Sequence, residues 1–164
     1  MTASSNEQTT ETFKPQPSSH HCFVCGLKNK ASLKIRFEDN GVDTVRAVHT
    51  VCDDHQGFPG VTHGGIVATM LDEVGGRTGV IKDPNRFMMT ARIEIDYRQP
   101  VPTNTEVILT GKIYNDKGYK AQVRSEIRLP DGSVAAEAEM VLVAAPEKYL
   151  TESNLNALGW GTND

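Results

Sequence analysis

The chain has 164 residues, of which 38% are hydrophobic and 23% charged, with a formal net charge of −4. That balance fits one globular domain and leaves too little chain for two. No stretch approaches the roughly eighteen uninterrupted apolar residues of a membrane helix, and an acidic protein is ill suited to hold nucleic acid by neutralising phosphates. The opening MTASSNEQTTETFKPQPSS lacks both the apolar run of a secretory signal and the arginines of a mitochondrial presequence, so a cytoplasmic location is expected. Three cysteines, Cys22, Cys25 and Cys52, are an odd number without an export signal, and all three are read as reduced.

Residues 1–19 are rich in Ser, Thr, Gln and Pro, a composition that predicts a disordered N-terminal tail ahead of a domain over 20–145. From Ser32, SLKIRFE alternates Leu33, Ile35 and Phe37 with polar partners. After the turn signal Asp39-Asn40-Gly41, a second run alternates Val45, Ala47 and His49. Two paired, half-buried strands are predicted. Between Phe58 and Val80 the period changes: Ile66, Met70 and Val74 fall four apart with Val67 and Leu71 beside them, the apolar stripe of a buried helix. Gly75, Gly76 and Gly79 weaken its last turns, and Pro84 lies beyond its end. Four strands follow, MMTARIEIDY, TEVILTGKIYN, YKAQVRSEIRL and SVAAEAEMVLVA, with Lys117-Gly118 and Asp131-Gly132 at hairpin positions. The expected fold is α+β, an antiparallel sheet of five to six strands wrapped around one long central helix. Residues 146–164 form a C-terminal tail, either a short helix or disordered.

GFPGVTHGGIVATMLDE, residues 57–73, carries the chemistry. Two glycines after His63 at the mouth of a helix leave first-turn N–H groups unobstructed by side chains, and the helix dipole adds positive potential there. Such a terminus suits an oxyanion. Asp72 falls on a second helix face, among Gly65, Ala68, Thr69 and Gly76, whose small side chains admit a ligand or another backbone. Glu73 is turned about 100° away, at the edge of the apolar stripe, so the two acids do not act as a pair. Gly65 and Glu73 are expected to line the bound substrate. Gly64 and Asp72 are eight residues apart, about 12 Å along a helix. One carbonyl cannot touch both, so a site using both must take its aspartate from a second copy.

His63-Gly64-Gly65 with Asp72 nine residues after the histidine, followed by MTARIEIDYRQPVP, resembles the HotDog thioesterase superfamily, in particular the PaaI-type acyl-CoA thioesterases, over about residues 20–144. The resemblance implies that the Gly64 N–H serves as oxyanion donor, that His63 shapes the site, and that Asp72 acts as nucleophile or general base. It also implies that Thr90, seven residues before Tyr97, orients the attacking water. The substrate would be an acyl-CoA or related thioester and the assembly a homodimer, or a dimer of dimers, without cofactor. Some relatives carry Asn or Gln six residues before the histidine; here that residue is Gly57, with Gln56 and His55 as neighbouring substitutes.

HCFVCG invites a zinc reading, but the sequence shows no second Cys-x-x-Cys or His pair to complete one, and the expectation is a metal-free tight turn. Lys120 and Arg124, or Arg77, Lys82 and Arg86, are basic groups that suit CoA phosphates. The competing class is a non-catalytic acyl-CoA-binding HotDog protein, which would need no acid near the carbonyl. A HotDog hydratase would need a His and Asp motif that is absent.

Overall fold

A computed structural model describes residues 11–161. In chain order the strands are β1 (Lys14–Pro15), β2 (Glu38–Asp39), β3 (Thr44–Thr50), β4 (Gln56–Phe58) and β5 (Val61–Thr62), then helix α1 (Gly64–Gly76). After it come β6 (Met88–Tyr97), β7 (Glu106–Asp116), β8 (Lys120–Arg128), β9 (Val134–Ala144) and a short helix α2 (Glu152–Leu158). Seven strands form one antiparallel sheet in the order β1-β2-β3-β7-β8-β9-β6, and β4 and β5 pair separately. Two of the seven, β1 and β2, are two residues long, so the expected five to six strands become five long ones with a short extension.

The four strands after the helix lie where their alternation placed them, and their turns follow from backbone chemistry. Gly118 and Gly132 adopt φ of +80° and +84°, the left-handed conformation that tight hairpins require. Along β8 and β9 alternate side chains are buried, and Val123, Ile127, Met140 and Leu142 meet Met70, Leu71 and Val74 of α1 in a single core. The helix lies very close to β7. A Cβ at Gly111 would sit 2.3 Å from the Val74 carbonyl oxygen, so only glycine permits this approach.

Two expectations are corrected. The run 33–37 keeps its alternating burial, with Leu33, Ile35 and Phe37 inside, yet it is not a regular strand paired with β3; only Glu38 and Asp39 are. Lys34 has φ of +60°, which breaks the pleat, and the N–H groups of Leu33 and Ile35 donate to Phe23 and Val24 instead. The Lys34 ammonium donates to the carbonyls of Gly26, Leu27 and Asn29 at 2.7–2.8 Å, holding that kink.

The second concerns the N-terminal tail, whose residues 1–10 lie outside the described residues. Residues 16–19 are packed: Gln16, Ser18 and Ser19 are buried, and Ser18 exchanges two backbone hydrogen bonds with Gly161. Composition misjudged this stretch because it counts apolar area, whereas here backbone hydrogen bonds and small polar side chains do the filling. The C-terminal residues take part. Thr151 caps α2, and Gly159 ends it at φ +59°. Trp160 then donates its indole N–H to the Pro84 carbonyl at 2.9 Å and packs edge-on against Phe87.

Candidate functional site

The N-terminus of α1 is built around His63. Its backbone is extended (φ −58°, ψ 135°), and its Nδ1 accepts the Gly65 N–H at 2.9 Å, so His63 is the N-cap of the helix. Its own N–H donates to the His55 carbonyl, and its carbonyl accepts the N–H groups of Ile66 and Val67. The Gly64 N–H is then the one first-turn donor with no acceptor among the described residues. Gly64 is held from behind, because the Tyr97 hydroxyl donates to its carbonyl at 3.0 Å. Gly57 packs on the His63 backbone. Gln56 accepts the Gly60 N–H at 3.4 Å, and His55 faces Cys52 at 3.3 Å, so these neighbours are engaged locally. An open cleft borders this turn, lined by Phe58, His63, Gly64, Val67, Tyr97 and Pro100 among others.

About two turns further along the helix the Thr90 hydroxyl donates to the Asp72 carboxylate at 2.7 Å. The two residues come from α1 and β6, 18 positions apart in sequence, and the structure brings them together. They border a different cavity, walled by Gly76, Val80, Phe87, Met88 and Trp160. Gly64 does not line this cavity, and Asp72 does not line the first.

The other sequence-predicted residues fall differently. The Gly65 N–H is consumed by the cap, which leaves only its lack of a side chain to serve a ligand. Glu73 is half-buried; Arg77 donates to its Oε1 at 2.9 Å, and the Cys22 thiol lies 3.9 Å from its Oε2. Burial pushes the Glu73 carboxyl above its ordinary range, against the opposing charge of Arg77. Arg77 itself is 4% exposed, placed over the rings of Phe37 and Trp160, and donates to the Pro17 carbonyl, so it is not a surface group for CoA phosphates. Arg86 is paired with Asp116 and Arg124 with Glu139. Lys120 begins β8 on the surface. The sequence reasoning used Tyr97 only as a reference point for Thr90; that a tyrosine ends the strand which also carries Thr90 was the available signal.

Comparison with known proteins bears on this arrangement. Residues 59–136 match the model of the thioesterase superfamily. A solved thioesterase superfamily protein is 32% identical, with TM-score 0.68, and the match covers 76% of this chain and 60% of that one. The PaaI protein of Escherichia coli has the same fold at TM-score 0.62 and 15% identity, over 70% of this chain and 81% of its own. Acyl-coenzyme A thioesterase THEM4 of Xenopus laevis is 37% identical over 79 residues, 48% of this chain and 35% of that protein. The chain thus spans about a third of the length of that curated relative. The fold is the HotDog architecture of these solved proteins, and residues 59–136 are similar to the thioesterase superfamily.

Proposed function

We propose that this protein hydrolyses an acyl-CoA, or a related acyl thioester, to free acid and CoA thiol at sites shared between two copies of the chain. The observation that carries this reading is the separation of two half-sites on one helix. The unspent Gly64 N–H borders one cavity, and the Asp72–Thr90 pair borders another, about 12 Å away along α1. In the reaction the Gly64 N–H, aided by the helix dipole, stabilises the oxyanion formed at the thioester carbonyl. Asp72 acts as general base or nucleophile, with the Thr90 hydroxyl fixing its carboxylate.

Strand β6 supplies a way to join the halves. Among the described residues it lies at the edge of the sheet, paired only with β9, and edge strands offer a free ladder to another chain. It carries Thr90 beside Asp72 at one point and Tyr97 against Gly64 at another. Antiparallel pairing of β6 with its copy about a two-fold axis at Ile93 or Glu94 brings Tyr97 of one protomer within one residue of the position opposite Thr90 of its partner. The oxyanion donor of each chain then meets the acid of the other, and the dimer has two equivalent sites.

The test mixes Gly64→Pro with Asp72→Asn under conditions that allow subunit exchange. Proline at the first helical position deletes the N–H with little backbone cost, and the extended conformation of His63 is the one a residue before proline prefers. Each homodimer should be nearly inactive, whereas each mixed dimer holds one intact site, so activity should return toward about one quarter of wild type. If circular dichroism shows both variants folded and native mass spectrometry shows exchange, yet nothing returns, the shared site is wrong.

A further inference from the structure

Cys22 and Cys25 have no part in the chemistry proposed above, and they begin a second arrangement. Residues 22–26 form a closed turn in which the Gly26 N–H donates to the Cys22 carbonyl at 2.9 Å. A Cβ at Gly26 would lie 2.3 Å from that oxygen, so the closure requires glycine. Within the turn the Val24 N–H points at the Cys22 Sγ at 3.2 Å. That donor fixes the direction of the Cys22 sulfur, which would bind a metal as thiolate. The third corner is Glu73, 51 residues further along the chain. Arg77 fixes its Oε1, which leaves Oε2 facing Cys22. The two sulfurs and a Glu73 oxygen all lie within 4.8 Å of one another. A tetrahedral Zn²⁺, with bonds of about 2.3 Å to sulfur and about 2.0–2.2 Å to oxygen, spaces its ligands about 3.5–3.8 Å apart.

We propose that Cys22, Cys25 and Glu73 form a zinc site. The fourth position faces the cavity that these residues share with Asp72 and Thr90, where a water completes the tetrahedron. Charge balances: two thiolates and one carboxylate offset the dication together with the Arg77 guanidinium. Arg77 holds the carboxylate in one orientation, the usual task of a group behind a metal ligand. Two soft thiolates select zinc over magnesium or calcium. A half-site of this kind escapes the search for a second cysteine pair because its third ligand comes from the core side of a distant helix.

The full chain, stripped with chelator under reducing conditions and passed through a desalting column after Zn²⁺ is added, should retain one zinc per chain. X-ray absorption at the zinc edge of that wild-type protein should show two sulfur neighbours. Substitution by Co²⁺ should give thiolate-to-metal charge-transfer bands and the visible bands of tetrahedral cobalt. Cys22→Ser and Cys25→Ser should lose these bands and Glu73→Gln should weaken binding tenfold or more, whereas Cys52→Ser should bind as wild type does. Substoichiometric retention by the reduced wild-type chain overturns the proposal. So does a zinc edge with fewer than two sulfurs, or loss of binding in Cys52→Ser with retention in Cys22→Ser. The first two readings need no variant to fold.

Discussion

At the scale of single residues, the half-sites make separable demands. Asp72→Asn keeps the shape of the acid but not its basicity, and turnover of a panel of acyl-CoAs should fall about 10²-fold or more with the circular dichroism spectrum unchanged. Thr90→Ala, which frees the carboxylate without removing it, should cost less. Equal losses would mean that Thr90 is itself the reacting group. His63 acts through the helix it caps, because its Nδ1 takes the Gly65 N–H and leaves that of Gly64 open. His63→Ala should lower unfolding free energy by about 1 kcal/mol in urea titration, and His63→Asn, whose amide oxygen can cap the same turn, should recover most of it. If Ala and Asn are equally stable, the cap is energetically idle.

At the scale of elements, the α1–β7 approach and the loop after the helix are the points most open to test. Gly111→Ala forces a methyl group against the Val74 carbonyl and should destabilise by about 1–3 kcal/mol, the usual range for overpacking, read as a lower denaturation midpoint. Arg86 donates twice to Asp116 and once to the Gly118 carbonyl, tying the loop after α1 to the β7–β8 hairpin. The Arg86 guanidinium holds the Asp116 carboxyl below the ordinary carboxylate range. A depressed folded-state pKa contributes stability above the unfolded value of about 3.9, and that contribution is lost as pH falls through the folded value. Wild type should therefore exceed Asp116→Asn by up to about 1 kcal/mol at pH 7, with the gap closing below about pH 4; a gap constant over that range would show that the charge is not its source. The same elements show what the sequence discloses. The period of four through Ile66, Met70 and Val74 and the alternation of the last four strands are written in one segment each, so helix and hairpins are legible. The clasp of Ser18 with Gly161 and the burial of Arg77 depend on partners far along the chain, and the kink at Lys34 on loop carbonyls five to eight residues before it. Local pattern carries no trace of them. Thr90 was singled out only because a family resemblance supplied its spacing from Tyr97, and its contact with Asp72 is a finding of the fold.

At the scale of the whole molecule, the shared-site reading makes activity a property of the pair. Turnover per chain should fall on dilution in step with the loss of dimer seen by native mass spectrometry, since a monomer would hold two halves of different sites and no whole one. Constant turnover per chain at concentrations where only monomer remains would contradict it. The placement of Gly64 at the first position and Asp72 at the ninth of a 13-residue helix also has a genetic meaning. Loss-of-function alleles of one gene would sort into two complementation groups, one mapping to the mouth of α1 and one to the turn around Asp72. Two defective alleles from different groups would restore partial function in the same cell, and two from the same group would not.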